Sequence, residues 1–247
     1  MTNPVGSMIL DKSSERVRRM FGEIAGSYDF LNHLLSLGID RSWRRRTVRL
    51  APPKAGAGPI LDLCTGTADL ALAYWSASRA MPGVDVVGVD FCQPMLALGA
   101  AKSRRWGAQS RVCLIDGDAE KLPFPDNLFQ IVSVAFGLRN VSDPQAGLKE
   151  MCRVCRSAGQ VAVLEFSEPQ GPLLKMLYNY YFQRILPRIG QTLARNSQAA
   201  YNYLPESVGR FPQGEDFARL MRLVGLTDVT FYPFTFGIAT LYVGKKG

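Results

Sequence analysis

The sequence predicts an α/β fold around a mostly parallel sheet, and three observations lead there. Between residues 56 and 170, short runs rich in Val, Ile and Leu alternate with longer stretches of helical spacing. The turn after the first run holds a glycine and the second run closes on an acid, as where strand gives way to helix. After residue 213 the alternation stops: one helix is followed by two β-rich segments in succession, an antiparallel closure.

In chain order, Pro52, Pro53, Gly56 and Gly58 form a linker, and Ile60-Leu61-Asp62-Leu63 after it reads as a buried strand. The turn around Gly66 leads into a helix over 69–79, rich in Leu and Ala. Strand 84–89 ends on Asp90, helix 94–104 follows, then strand 111–115 and a loop from Gly117 to Pro125. Strand 129–136, helix 144–156 and strand 160–166 complete the regular part, whose crossovers are expected to be right-handed. Helix 213–224 precedes Val229–Phe234 and Ile238–Val243, a hairpin joined through Phe236-Gly237.

Two segments flank this pattern. Val17, Met20, Phe21, Ile24 and Tyr28 recur at helical spacing, further helical stretches pass through Leu34, Leu35 and Leu37 and start at Arg41, and residues 1–55 read as a helical cap. Residues 171–212 form an insertion that opens with a helix, Pro172 to Arg195, crowded with large apolar and aromatic side chains. It would sit over the carboxyl ends of the strands, as added core or as a lid for an apolar substrate. The expected organisation is one domain: cap 1–55, nucleoside-binding core 56–170, insertion 171–212, closing helix and hairpin 213–247.

The 247 residues are 47% hydrophobic and carry a net charge of +8. Residues 1–50 hold nine basic and five acidic side chains and residues 171–212 hold five and one, so the excess lies outside the core and implies an anionic partner or surface. Met1 to Asp11 lacks the pattern of a secretory signal, and the longest uncharged run, Val229 to Gly244, is shorter than the roughly 20 residues of a membrane span. Five scattered cysteines point to free thiols in a reducing, cytoplasmic compartment. Cys152-Arg153-Val154-Cys155 has no second pair, and His33 is the one histidine, so no metal site is expected; both cysteines read as semi-buried helix residues.

Strand, glycine turn, helix and a second strand ending in Asp90 outline a nucleoside-binding half-fold, with Asp90 on the ribose hydroxyls. A dinucleotide loop needs several glycines for a pyrophosphate, whereas this one has Gly66 alone, with Asp69 where the helix begins. A carboxylate there repels phosphate. It suits S-adenosylmethionine (SAM), which carries an ammonium and a sulfonium, so Asp62 and Asp69 become its expected neighbours; an ordinary helix-N-terminal acid at Asp69 is the alternative.

Several stretches together resemble the SAM-dependent C-methyltransferases of menaquinone and ubiquinone biosynthesis: Phe21 to Asn32, the loop 61–70, Gly117 to Asp126, Phe136-Gly137-Leu138-Arg139-Asn140-Val141, Leu164 to Ser167, Leu186 to Gly190, and Tyr203-Leu204-Pro205-Glu206-Ser207. The likeness runs over residues 15–246 and implies the class I methyltransferase architecture, a Rossmann-like sheet. It makes Thr67, Asp90, Asp118 and Ala119 contacts of SAM, with Gly66, Phe91 and Ala135 beside them, and S-adenosylhomocysteine the product. The implied substrate is a prenylated quinol, with demethylmenaquinol favoured over a benzoquinol; Tyr28, Tyr178, Tyr201 and Tyr203 are candidate pocket walls.

Arg139 is expected to act as a fixed cation that stabilises the quinol phenolate, and Asn140 to orient the hydroxyl or a water. His33 is the alternative base, although its place in the cap suits a structural role better. The chain departs from the family pattern. Cys64 or Thr65, and Ala68, stand where glycine is usual, Ala135 where serine is, Gln130 for an aspartate and Tyr242 for a histidine; a methyl at Ala68 calls for an unstrained backbone. A bilayer-held quinol implies a peripheral protein at the inner face of the membrane, with a homodimer left open. Nucleic acid is not expected, because the aromatics gather on an apolar helix instead of among base-reading positions. A SAM-fold assembly partner of quinone enzymes is the competing class.

Overall fold

The computed structural model describes residues 38–169 and 206–247, together with residues 15, 17–23, 25, 26, 36, 171 and 176. Strands β1 (Ile60–Leu63) and β4 (Phe129–Ala135) are buried on both faces, hence their near-continuous apolar sequences. β2 (Val86–Asp90) and β3 (Val112–Asp116) lie to one side of β1, and β5 (Cys155–Phe166) lies beyond β4. β7 (Ala239–Lys246) and β6 (Leu226–Phe234) complete a seven-stranded sheet of order β3-β2-β1-β4-β5-β7-β6. The first five strands pair in parallel; β7 runs antiparallel to both β5 and β6, as the closing hairpin predicts.

Helices cover both faces. α1 (Asp40–Leu50) and α2 (Asp69–Ala77) contribute Trp43, Val48, Leu70, Leu72 and Tyr74 to one side. α4 (Pro144–Val154) and α5 (Glu215–Leu223) contribute Leu148, Met151, Phe217 and Met221 to the other. α3 (Gln93–Trp106) covers β2 and β3, and ends on Gly107 in the left-handed conformation that glycine supplies at least cost. Each large apolar side chain buried in these layers contributes about 1.5–3 kcal/mol. Tyr242, where the family pattern has histidine, is wedged between Phe217 and Phe231 and accepts a hydrogen bond from the Gly214 N–H at 2.7 Å.

The main departure from expectation is at β5, which begins at Cys155 instead of residue 160. Its register against β4 jumps between the Phe129–Cys155 and Ile131–Gln160 pairs, and Ala158 has φ +59°. A bulge absorbs residues that helical periodicity had assigned to α4. Cys152 therefore ends up on the helix and Cys155 on the strand, both buried; burial pushes the Cys155 thiol up to about 12, which makes it unreactive.

Of the cap before α1, residues 15, 17–23, 25 and 26 are helical; Phe21 and Ala25 pack on Cys92 and Met95 at the start of α3. Of the insertion, Met176 and residues 206–210 are helical. Tyr28, His33, Tyr178, Tyr201, Tyr203 and the rest of the expected 172–195 helix lie outside the described residues.

Candidate active site

The connections after β1 and β4 leave toward opposite sides of the sheet, which opens a crevice at the carboxyl ends of these neighbouring strands. Its floor is two loops in close contact. A Cβ on Gly137, after β4, would stand 2.3 Å from the Cβ of Cys64, after β1, so only glycine fits there. The β1–α2 turn is tightly wound, with Cys64 at φ +48°, Gly66 at +55° and Ala68 at +67°. The expected relaxed backbone at Ala68 is not found: Ala68, and Cys64 of the Cys64 or Thr65 alternative, are left-handed here and carry side chains, at about 1 kcal/mol or more each.

A larger cavity, of about 780 Å³ counted to its open mouth, lies over Asp90, Phe91, Asp118, Ala119 and Asn140. Asp90 braces the turn: its Oδ2 accepts the Gly66 N–H at 2.8 Å and its Oδ1 the Cys92 N–H at 2.9 Å. Each oxygen keeps a lone pair for a diol, and burial raises the carboxyl above its ordinary pKa. Arg18 and Phe21 of the cap close one side, the Arg18 guanidinium 5.4 Å from the centre of the Phe91 ring. Neither was singled out for this role from sequence, although Phe21 falls in a stretch that carries the family resemblance.

A smaller hollow of about 270 Å³ adjoins it, lined by Asp62, Thr67, Asp69, Ala135 and Arg44, and Cys64 faces both spaces. Asp62 accepts hydrogen bonds from the hydroxyls of Thr65 (2.7 Å) and Ser133 (3.0 Å). Burial outweighs those bonds and lifts its carboxyl to about 7. Asp69 meets Lys102 at 2.5 Å and Arg44 at 3.6 Å, while Lys102 also donates to Thr67. Arg44 reaches the hollow from α1, where it also pairs with Asp40. It lies within Arg41-Ser42-Trp43-Arg44-Arg45-Arg46, a run that the sequence marks as the start of a helix, without showing that Arg44 falls on its buried face.

Arg139 does not line the cavity. It is buried, its guanidinium 2.8 Å from Glu165 and stacked 5.3 Å from the Phe166 ring, and its N–H donates to Glu165 at 3.1 Å. The unopposed cation expected for a phenolate is absent, because Glu165 takes up the charge. The fork instead anchors the loop, donating to the carbonyl of Phe136, itself at φ +60°. The Asn140 Nδ2 donates to the same carbonyl at 3.3 Å, which orients the amide; its Oδ1 is buried, beside the cavity, with no partner among the described residues. Such an oxygen is costly unless a ligand or water supplies the donor. Gln130, where an aspartate is usual, ties down the linker: its amide donates to the Lys54 and Gly58 carbonyls and accepts the Lys54 N–H.

A sequence profile of the ubiE/COQ5 methyltransferase family matches residues 9–246. The ubiquinone/menaquinone biosynthesis C-methyltransferase UbiE of Geobacter sulfurreducens is 46% identical over 238 residues, 96% of this chain and 91% of its own. The demethylmenaquinone methyltransferase of Thermus thermophilus is 45% identical over 227 residues, 92% of this chain and 100% of its own. Among solved structures, a SAM-dependent methyltransferase from Thermotoga maritima superposes with a TM-score of 0.64 over 94% of this chain and 100% of its own, at 16% identity. Phosphoethanolamine N-methyltransferase 2 of Haemonchus contortus, in complex with S-adenosyl-L-methionine, gives 0.59 over 83% and 52%, at 15% identity. At these identities the two structures share the fold.

Proposed function

The chain belongs to the ubiE/COQ5 methyltransferase family, and we propose that it methylates a ring carbon of a prenylated quinol with SAM, converting demethylmenaquinol to menaquinol. The observation that carries this reading is the pair of hollows meeting at Cys64, one open and edged by Phe91, the other small and acidic. A nucleoside fits the first. The amino-acid end of SAM fits the second, where Asp62 answers its ammonium and Arg44 its carboxylate, while Lys102 holds Asp69 at the edge of the hollow. Asp90 would hold the ribose, and Asp118 and Ala119 the adenine edge, with Phe91 against the ring.

When bound, SAM supplies an electrophilic methyl on sulfur. The quinol ring carbon becomes nucleophilic as the neighbouring hydroxyl loses its proton, because phenolate charge spreads to the ortho carbon. The carbon takes the methyl as the methyl–sulfur bond breaks and S-adenosylhomocysteine leaves, then loses its ring proton to water while the oxygen regains one, for a net release of one proton. In this reading Asn140 accepts from that hydroxyl, or from the water that deprotonates it, through its Oδ1, and the support is that this oxygen has no partner among the described residues. Arg139 acts through the Glu165 pair as a positioning residue that holds Asn140 in place. A cap over the nucleoside end keeps water out.

A polyprenyl tail stays in a bilayer, so the protein works peripherally at the cytoplasmic face. The net charge of +8 supports this, and no helix among the described residues is long and apolar enough to cross a membrane. Purified protein given methyl-labelled SAM and reduced demethylmenaquinol in vesicles should place label in menaquinol, and Asn140→Ala should lower turnover by about 10²–10⁴-fold. Label appearing only in a benzoquinol would move the substrate class; label in neither quinol would favour an assembly role.

A further inference from the structure

Phe236 takes no part in the site, yet it stands at the β6–β7 tip with 74% of its surface exposed. It and Thr235 are left-handed, φ +58° and +46°, a conformation that bulky residues rarely adopt. The tip is anchored on both flanks: the Trp43 indole N–H donates to the Thr235 hydroxyl at 2.8 Å, and the Ser167 hydroxyl donates to the Gly237 carbonyl at 2.7 Å. A strained, braced turn therefore holds an aromatic ring out in water.

Beside it runs α1. Its buried face is Asp40, Trp43, Arg44, Thr47 and Val48; Arg41, Arg45, Arg46 and Arg49 are all exposed. Among the described residues no carboxylate pairs with any of these four, and the Arg46 guanidinium lies 4.6 Å from the centre of the Phe234 ring, which ties the arginine face to the hairpin. Position supplies the last element. Phe166 at the end of β5 pairs with Ala239, so the tip projects from the carboxyl edge of the sheet, the edge that holds both hollows.

We propose that the arginine face of α1 and the Phe236 tip form a docking surface for an anionic bilayer, with Phe236 in the headgroup layer and the arginines on lipid phosphates. An apolar wedge bordered by exposed arginines is complementary to such an interface, and arginine suits phosphate through its planar fork. Docked this way, the protein turns its active-site edge to the membrane, so a quinol ring can enter without its tail leaving the lipid. This surface rests on the prenylated-quinol reading above.

Flotation with phosphatidylglycerol-containing vesicles, against pure phosphatidylcholine, tests it on the full chain. The wild type should float with the anionic vesicles at low salt and be released as salt rises. Phe236→Ser and the double variant Arg41→Glu/Arg45→Glu should each weaken binding about tenfold, the loss of one or two interfacial anchors. Turnover of a short-tailed, water-soluble demethylated quinol should stay within about twofold, since neither site touches the hollows. Variants that float like the wild type would overturn this surface and leave the membrane reading standing. A wild type that floats with neither vesicle, or equally with both, overturns docking itself while soluble turnover still reports the reaction. Loss of soluble turnover in the variants would instead give the tip a role in supporting the site.

Discussion

Asp62 sits where its charge state matters twice. Its carboxyl is raised to about 7 by burial, so between about pH 4 and 7 the ligand-free folded chain holds a proton that the unfolded chain has lost. Its contribution to stability is then complete below about pH 4 and disappears as pH rises through 7. An ammonium reverses the preference, favouring the ionised form. S-adenosylhomocysteine should bind more tightly from pH 6 to 7, with proton release seen by calorimetry in two buffers, and Asp62→Asn should flatten both trends. A wild type without release would separate Asp62 from the ligand. Arg44 gives a sharper test. If it meets the carboxylate, Arg44→Met should weaken S-adenosylhomocysteine by about 10–100-fold, a charged hydrogen bond's worth, yet leave decarboxylated SAM nearly unchanged. Equal losses would make Arg44 a brace for α1.

At the scale of elements, the loops after β1 and β4 form one device. Gly137→Ala would drive a methyl into Cys64, at the contact that joins the two hollows, and should cost about 1–3 kcal/mol in denaturant unfolding as well as cofactor affinity. Ala68→Gly should do the opposite, relieving a left-handed alanine and raising stability by about 1 kcal/mol, provided the loop's added freedom when unfolded does not offset it. The turn that carries Arg139 and Asn140 is tuned in the same way. Arg139→Lys keeps the charge but not the fork that reaches both Glu165 and Phe136, so steady-state kinetics should show a larger loss in kcat than in SAM affinity. Equal losses would place the pair in cofactor binding.

At the scale of the whole molecule, the cap is packed against the cavity proposed for the cofactor. Phe21 and Ala25 rest on Cys92 and Met95, just after Asp90, while Arg18 and Phe21 face the larger cavity. Hydrogen exchange over residues 17–26 should therefore slow by about tenfold or more on adding S-adenosylhomocysteine, with α5 on the far end of the sheet unaffected. Protection of both alike would mean global stabilisation instead of cap closure.

The order of strands and helices, the parallel core and the closing hairpin are all legible in the sequence, because periodicity and turn chemistry act over a few residues. So is the gathering of Asp90, Phe91, Asp118 and Ala119, because in a parallel sheet the residues after each strand emerge on one edge. The bulge in β5 was not legible, since Cys155 to Gly159 suits a helix end as well as a strand until β4 is beside it. Nor was the state of Arg139: its partner Glu165 lies 26 residues away, and only the packing of β4 on β5 brings the two charges together and turns a presumed catalytic cation into a buried anchor. Arg44 is the converse, a residue in a basic run whose helix lies over α2 and so delivers a cation to the acidic hollow. Local pattern determined the scaffold and the edge on which chemistry happens; the tertiary fold decided which charges there are neutralised and which still face a ligand, because pairing and desolvation depend on neighbours that the sequence keeps far apart.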